Sequence, residues 1–220
     1  MGFLNKLFGK TPQKETNKMA NVKLAVIYYS STGTNYQMAK WAEEAATAAG
    51  AEVKVLKAPE LAPEAAIASN PAWKAHYDAT KDVSEATSED LEWADAIIFS
   101  TATRFGGIAS QMKQFLDMQG GLWAQGKLVN KVVSAMSSAQ NDHGGQEASI
   151  LSLYTSLMHW GAIIAAPGYT DPVLFTTGGN PYGASATVDA EGNIANDVKS
   201  AVEVQAKRTV DIAGRVKAGN

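Results

Sequence analysis

"VKLAVIYYSSTGTNYQMAKWAEEAATAAG", residues 22–50, decides the fold. It opens with "VKLAVIYY", rich in β-branched and aromatic residues, which reads as a buried strand. From Asn35 onward, Met38, Trp41, Ala42 and Ala45 recur at helical spacing, and Gly50 supplies a C-terminal stop. Between strand and helix stand Ser30, Ser31, Thr32, Gly33 and Thr34, with no lysine or arginine before Lys40.

A helix start presents free backbone N–H groups and the positive end of the helix dipole, so an anion can bind there without a cation. The hydroxyls of Ser30, Ser31, Thr32 and Thr34 add donors, and Gly33 lets the backbone come close or take a positive φ. A nucleoside triphosphatase would show a lysine and a magnesium-binding Ser or Thr instead. The loop from Ser30 to Asn35 therefore reads as a cradle for a phosphate that is kept rather than transferred. The same residue types also suit a plain helix cap, and the stretch alone leaves both readings open.

Outward from this unit, strands are expected at 51–57, at the end of 91–101, at 130–138 and at 162–169. Helices are expected at 110–119, 146–161 and 197–219, with a long, partly helical excursion over 58–89 and a loop over 172–192. Strand and helix alternate, which predicts an α/β fold: a five-stranded parallel sheet with helices on both faces. Ligands of such sheets sit beyond the carboxyl ends of the strands. That points to two further loops. Thr103, Arg104, Phe105, Gly106 and Gly107 offer an aromatic and a guanidinium suited to a flat, electron-poor ring. Ser137, Ser138, Gln140, Asn141, His143, Gly144 and Gly145 gather amides and hydroxyls suited to a polar heterocycle edge. Glycine-rich turns are the plainer reading of both loops.

The 220 residues, 45% apolar, suit one domain over 21–220 with a sizeable core, preceded by an extension over 1–20. That extension reads as a flexible tail, or as a short docking helix with Phe3, Leu4, Leu7 and Phe8 on one face. Its apolar part is too short and interrupted for a secretory signal, and Lys6 stands where a myristoylation motif takes Ser or Thr. A net charge of −3 gives no electrostatic footprint for nucleic acid or an anionic membrane. Cysteine is absent, so disulfides and thiolate zinc sites are excluded and the cytoplasm is the default location. No apolar run approaches the ~20 residues of a membrane span. His76, His143 and His159 are not spaced as a zinc helix motif, and no Gly-x-Ser-x-Gly occurs. "GLWAQGKL" (121–128) fails the P-loop pattern at Leu128, and "PAWKAHY" (71–77) reads as packing. No metal site and no catalytic side chain are expected.

Taken together, the three loops resemble the flavodoxin-like superfamily, whose phosphate signature Ser30 to Asn35 nearly reproduces, with Asn35 in place of the last threonine. "TRFGGIASQMKQFLDMQGGLWAQGKL" (103–128), "HGGQEASILSL" (143–153) and "GGNPYGAS" (178–185) narrow the likeness to the WrbA-type NAD(P)H:quinone oxidoreductases. The resemblance implies FMN as cofactor, NADH or NADPH as co-substrate, a quinone as acceptor, and a homo-oligomer, dimer or tetramer. It implies that Ser30, Ser31, Thr32, Gly33, Thr34 and Asn35 hold the phosphate, and that Thr103, Arg104, Phe105 and Gly106 flank the isoalloxazine. Ser138, Ala139, Gln140, Asn141, Gly144 and Gly145 would wrap its pyrimidine end, with Ser137 beside them. Trp123 would line the substrate pocket, which the family shares between subunits, and His159 would lie near the flavin; by themselves the residues equally allow Trp123 as an interface or core residue and His159 as a helix-end histidine facing the dipole. One shared stacking site implies ping-pong kinetics, with the flavin carrying the chemistry. The chain departs from many relatives at Trp160, where they carry a second histidine, and at Thr32, where they carry an aromatic. Its 137–145 loop is one residue longer than in relatives reading Ser-Ser-Thr-Gly-Thr-Gly-Gly-Gly. The alternative is a non-enzymatic FMN-binding electron-transfer or interaction protein; such flavodoxins tend to be strongly acidic, and −3 over 220 residues fits that use poorly.

Overall fold

The apolar run that opens the domain becomes strand β1 (Lys23–Tyr29), buried on both faces from Leu24 to Tyr29. The computed structural model describes residues 21–189 and 193–219; the extension read over 1–20 lies outside them. A strand hidden on both sides belongs inside a parallel sheet. β2 (Glu52–Lys57) pairs with β1 on one edge and β3 (Ala96–Arg104) on the other, both parallel. β4 (Gly107–Ile108) folds back antiparallel on the end of β3. β5 (Val132–Ala139) and the short β6 (Ile163–Ile164) complete the order β2-β1-β3-β5-β6.

Period-2 alternation sends Leu24, Val26 and Tyr28 to one face and Ala25, Ile27 and Tyr29 to the other. Helices α1 (Thr34–Ala48) and α8 (Lys199–Ala218) cover the first face. Helices α4 (Ser88–Trp93), α5 (Ser110–Asp117) and α7 (Gln146–His159) cover the second, through Leu91, Met112, Leu153 and Leu157. α1 ends as its sequence demands: the amides of Gly50 and Ala51 donate to the carbonyls of Thr47 (2.9 Å) and Ala46 (3.0 Å). The excursion over 58–89 holds α2 (Glu64–Ala68) and α3 (Pro71–Ala79), the latter capped by the Asn70 side chain with Pro71 in its first turn. Between α5 and β5 lies the short α6 (Gly120–Ala124).

The fifth position in the sheet differs from expectation. Residues 162–169 do not form one strand, and the described residues hold seven strands, five of them in the main parallel order. After β6 the chain leaves the sheet at Pro167, which has no N–H to give to a ladder. It runs through a 3-10 turn (Pro172–Phe175) and returns as β7 (Ser185–Thr187), parallel to the far end of β5. The gap falls opposite Ala135, whose backbone would be left without a strand partner. Tyr154 closes one half: its hydroxyl oxygen accepts from the Ala135 amide at 3.1 Å. Gln205 closes the other: its Nε2 donates to the Ala135 carbonyl at 2.9 Å. The returning chain passes so close that a Cβ on Gly183 would stand 2.0 Å from that carbonyl oxygen.

Candidate functional site

β2 lies to one side of β1, and every later strand of the sheet lies to the other. Where the strand order turns in this way, the loops leaving the carboxyl ends diverge and open a crevice. The loops after β1, β3 and β5 meet there.

The helices that follow the first and third loops each start on a left-handed glycine with no side-chain cap: Gly33 at α1 (φ 105°) and Gly145 at α7 (φ 96°). The Ser30 hydroxyl oxygen accepts from the Gly33 amide at 2.9 Å and the Asn35 amide at 3.3 Å, which curls the loop. Among the described residues, the backbone amides of Ser31, Thr32 and Thr34 have no hydrogen-bond acceptor. The hydroxyls of Thr32 and Thr34 are likewise unengaged. This is a set of neutral donors at the positive end of a helix, a surface whose chemistry suits an anion. The bland cap reading is not what forms, because the residue at the cap position has no side chain.

The other two loops lock onto the first. Arg104 Nη2 donates to the Ser31 hydroxyl at 2.9 Å, bringing a guanidinium to the rim of the loop. Thr103 donates to the Gly145 carbonyl at 3.1 Å and bonds the Ser149 hydroxyl. A Cβ on Gly145 would stand 2.7 Å from Gly106 Cα, so the second and third loops touch backbone to backbone. Phe105 is fully exposed with φ 52°, a conformation that costs a bulky residue about 1 to 3 kcal/mol. Arg104 and Phe105 also line a groove of about 880 Å³ together with Leu61, Trp73, Gln111 and Met118.

The expected site residues divide into two kinds. Ser31, Thr32, Gly33, Arg104, Phe105 and Gly106 present to the crevice, and Gln140 and Asn141 are exposed on the third loop. Ser138 is buried beneath them, and its hydroxyl oxygen accepts from Asn35 Nδ2 at 2.8 Å. The Ser100 hydroxyl donates to Asn35 Oδ1 at 3.1 Å, so the Asn35 amide is a brace between β3 and β5. Ser137 is fully buried and donates to the Thr101 carbonyl at 2.9 Å. Ala139, Gly144 and Gly145 serve through backbone, with a Cβ on Gly144 falling 2.4 Å from the Ala139 Cβ.

Trp123 and His159 meet each other and not the crevice: Trp123 Nε1 donates to the His159 carbonyl at 2.9 Å. α7 begins at Gly145 beside Gly106 and ends by Gly161, whose carbonyl accepts from Asn130 just before β5. Its fourteen residues thus carry His159 about 20 Å to the opposite edge of the sheet. Trp123 remains more than half exposed there. Trp160 turns inward, edge-on to Phe99 with centroids 6.3 Å apart.

Residues absent from the sequence-based site come from the excursion. His76 lies against the glycine of the first loop: a Cβ on Gly33 would meet its Nδ1 at 3.5 Å. Glu60 fixes the excursion to the body, accepting from Tyr29 (3.2 Å), Trp73 Nε1 (3.3 Å) and Gln111 Nε2 (2.7 Å). Burial, then the Glu60 carboxylate, holds the Tyr29 phenol well above its ordinary range. No sequence pattern near 71–77 signals this approach. Among the described residues, no group of histidine, aspartate and glutamate could hold a metal, and no helix is long and apolar enough to cross a membrane.

Residues 22–170 match a family described as NADPH-dependent FMN reductase. Over 197 residues the chain is 54% identical to an NAD(P)H dehydrogenase (quinone) of Deinococcus radiodurans, covering 90% of this chain and 98% of that one. It is 44% identical over 176 residues to a protein of the same description from Brucella abortus, covering 78% of this chain and 86% of that one. Among solved structures it resembles a flavodoxin, WrbA-like protein from Agrobacterium tumefaciens with a TM-score of 0.57 at 18% identity, over 91% of this chain and all of that one. The fold is therefore flavodoxin-like.

Proposed function

The chain belongs to the NADPH-dependent FMN reductase family, and we propose that it is an FMN-dependent oxidoreductase of the WrbA type, passing two electrons from NADH or NADPH to a quinone. Relatives sharing 54% and 44% of their residues with it bear the name NAD(P)H dehydrogenase (quinone), which supports the substrate classes. The observation that carries the assignment is the set of unpartnered amides at Ser31, Thr32 and Thr34, at a helix start and beside Arg104 and Phe105. A neutral donor set of this shape fits the phosphate of a mononucleotide, and an exposed aromatic next to two glycines fits a flat ring.

When bound, FMN supplies the two-electron chemistry. The residues of the chain bind and orient. Ser31, Thr32 and Thr34 hold the phosphate through N–H and O–H groups. Ser30, Asn35, Ser138 and Ser100 keep that loop in shape. Arg104, tethered to Ser31, sets positive charge at the rim, and Phe105 shields one side of the ring. Gln140 and Asn141 offer amides to the heterocycle edge. Trp123 and His159 stand too far from this crevice to serve it within one chain, so we assign them to the crevice of a second copy in a homo-oligomer.

One open stacking face obliges the nicotinamide and the quinone to take turns. With FMN-loaded protein, initial rates measured against NADH at several fixed quinone concentrations should give parallel double-reciprocal lines. Intersecting lines would overturn the shared face. Bound flavin that keeps its colour with both NADH and NADPH would overturn the enzyme reading itself.

A further inference from the structure

We propose that His76, on α3 of the long excursion, is a further partner of the FMN phosphate, closing the cradle on the side of β2. It has this role only if FMN is the ligand, as proposed above. The imidazole packs on Gly33, with Nδ1 3.5 Å from where a Cβ would stand. Neither ring nitrogen has a hydrogen-bond partner among the described residues. The ring is held in place: it lies against Tyr36 with centroids 5.7 Å apart, and Tyr36 lies against Tyr28 at 5.2 Å. α3 itself is fixed by the Asn70 cap and by Trp73 on Glu60. A half-buried imidazole so placed, with unused nitrogens beside an anion cradle that lacks lysine, is a donor without an acceptor.

A phosphate monoester carries close to two charges at pH 7 and accepts strong charge-assisted bonds. The charged and titratable groups facing His76 are Lys57 from β2, Tyr36 from α1, Tyr28 from β1, and Tyr29, Glu60 and Glu85 across a small shared cavity. On its own helix are Tyr77 and Asp78, the latter paired with Lys74. Without an anion, burial and then the Lys57 charge hold the imidazole below its ordinary value, which favours the neutral ring. A dianion within reach acts the other way and favours imidazolium. FMN binding then takes up a proton, and affinity strengthens as pH falls toward the range in which the free imidazole titrates.

The test is a fluorescence titration of FMN and of riboflavin, which lacks the phosphate, into the wild-type chain and His76→Phe. Phenylalanine keeps the ring packing and removes the nitrogens. We expect FMN affinity to fall about tenfold, the size of one hydrogen bond to a charged group. Riboflavin affinity should stay within about twofold, and the pH dependence for FMN should flatten. Equal FMN affinity in the two proteins, parallel loss of both flavins, or unchanged pH dependence overturns the inference. A wild-type chain that binds neither flavin instead overturns the FMN reading on which it stands.

Discussion

Two places in this molecule leave backbone groups without a strand or helix partner, and they are treated in opposite ways. Opposite Ala135, where the fifth sheet position is interrupted, Tyr154 and Gln205 reach in and take both the amide and the carbonyl. At the first loop the amides of Ser31, Thr32 and Thr34 are met by no protein acceptor among the described residues. A buried unpaired polar group costs about 1 to 3 kcal/mol, so the first gap has to be sealed for the sheet to stand. The second borders solvent, where water satisfies the amides until something better arrives. The molecule seals its accidental gap and keeps its useful one open.

Substitution can break this contrast from either side. The largest effect is expected at the sealed gap. In Gly183→Ala the new Cβ would meet the Ala135 carbonyl oxygen at 2.0 Å, a collision with backbone that no side-chain rotation relieves. Chemical denaturation should show a loss above about 4 kcal/mol, or no folded protein. Stability within about 1 kcal/mol of wild type would refute the tight passage.

At the open gap, Thr32→Glu sets a carboxylate among the free donors while leaving the core untouched. The like charge should weaken FMN binding by more than about a hundredfold, near 3 kcal/mol. Circular dichroism should show the fold unchanged. Undiminished FMN retention would mean that the anion lies elsewhere.

The smallest effects separate the two seals. Gln205→Leu strands the Ala135 carbonyl and also the Ala184 amide, which donates to Gln205 Oε1 at 2.7 Å. It should cost about 2 kcal/mol. Tyr154→Phe strands the Ala135 amide and the Tyr182 carbonyl, which accepts from the Tyr154 hydroxyl at 2.7 Å. It should cost about 1 kcal/mol, since the ring stays packed. Neither should alter FMN affinity, and a matching loss of affinity in either would join the two regions that we hold separate.

The alternation of elements was plain in the chain because it rests on local rules. Apolar runs at 22–29, 96–99 and 132–136 can be hidden only as central strands, and helical spacing in 35–48 and 199–218 can be satisfied only against such a sheet. The absence of lysine and arginine between Ser30 and Asn35 was equally legible. The interruption of the fifth strand was not. Residues 162–166 are apolar enough for a full strand, and only the path of 167–183 over the sheet edge shows that the ladder is broken.

By itself, then, the sequence determined the alternation of strand and helix, the stop at Gly50 and the neutral, hydroxyl-rich make-up of the first loop, since these depend on neighbours within a few residues. Only the tertiary structure decided which polar groups would be free. It turned Asn35 and Ser137 inward as braces and left Thr32 outward. It set His76 against Gly33 and carried Trp123 and His159 to the far edge. Hydrogen-bond partners across strands are chosen by packing between segments distant in the chain. A residue's type states what it can donate, and the fold states to whom.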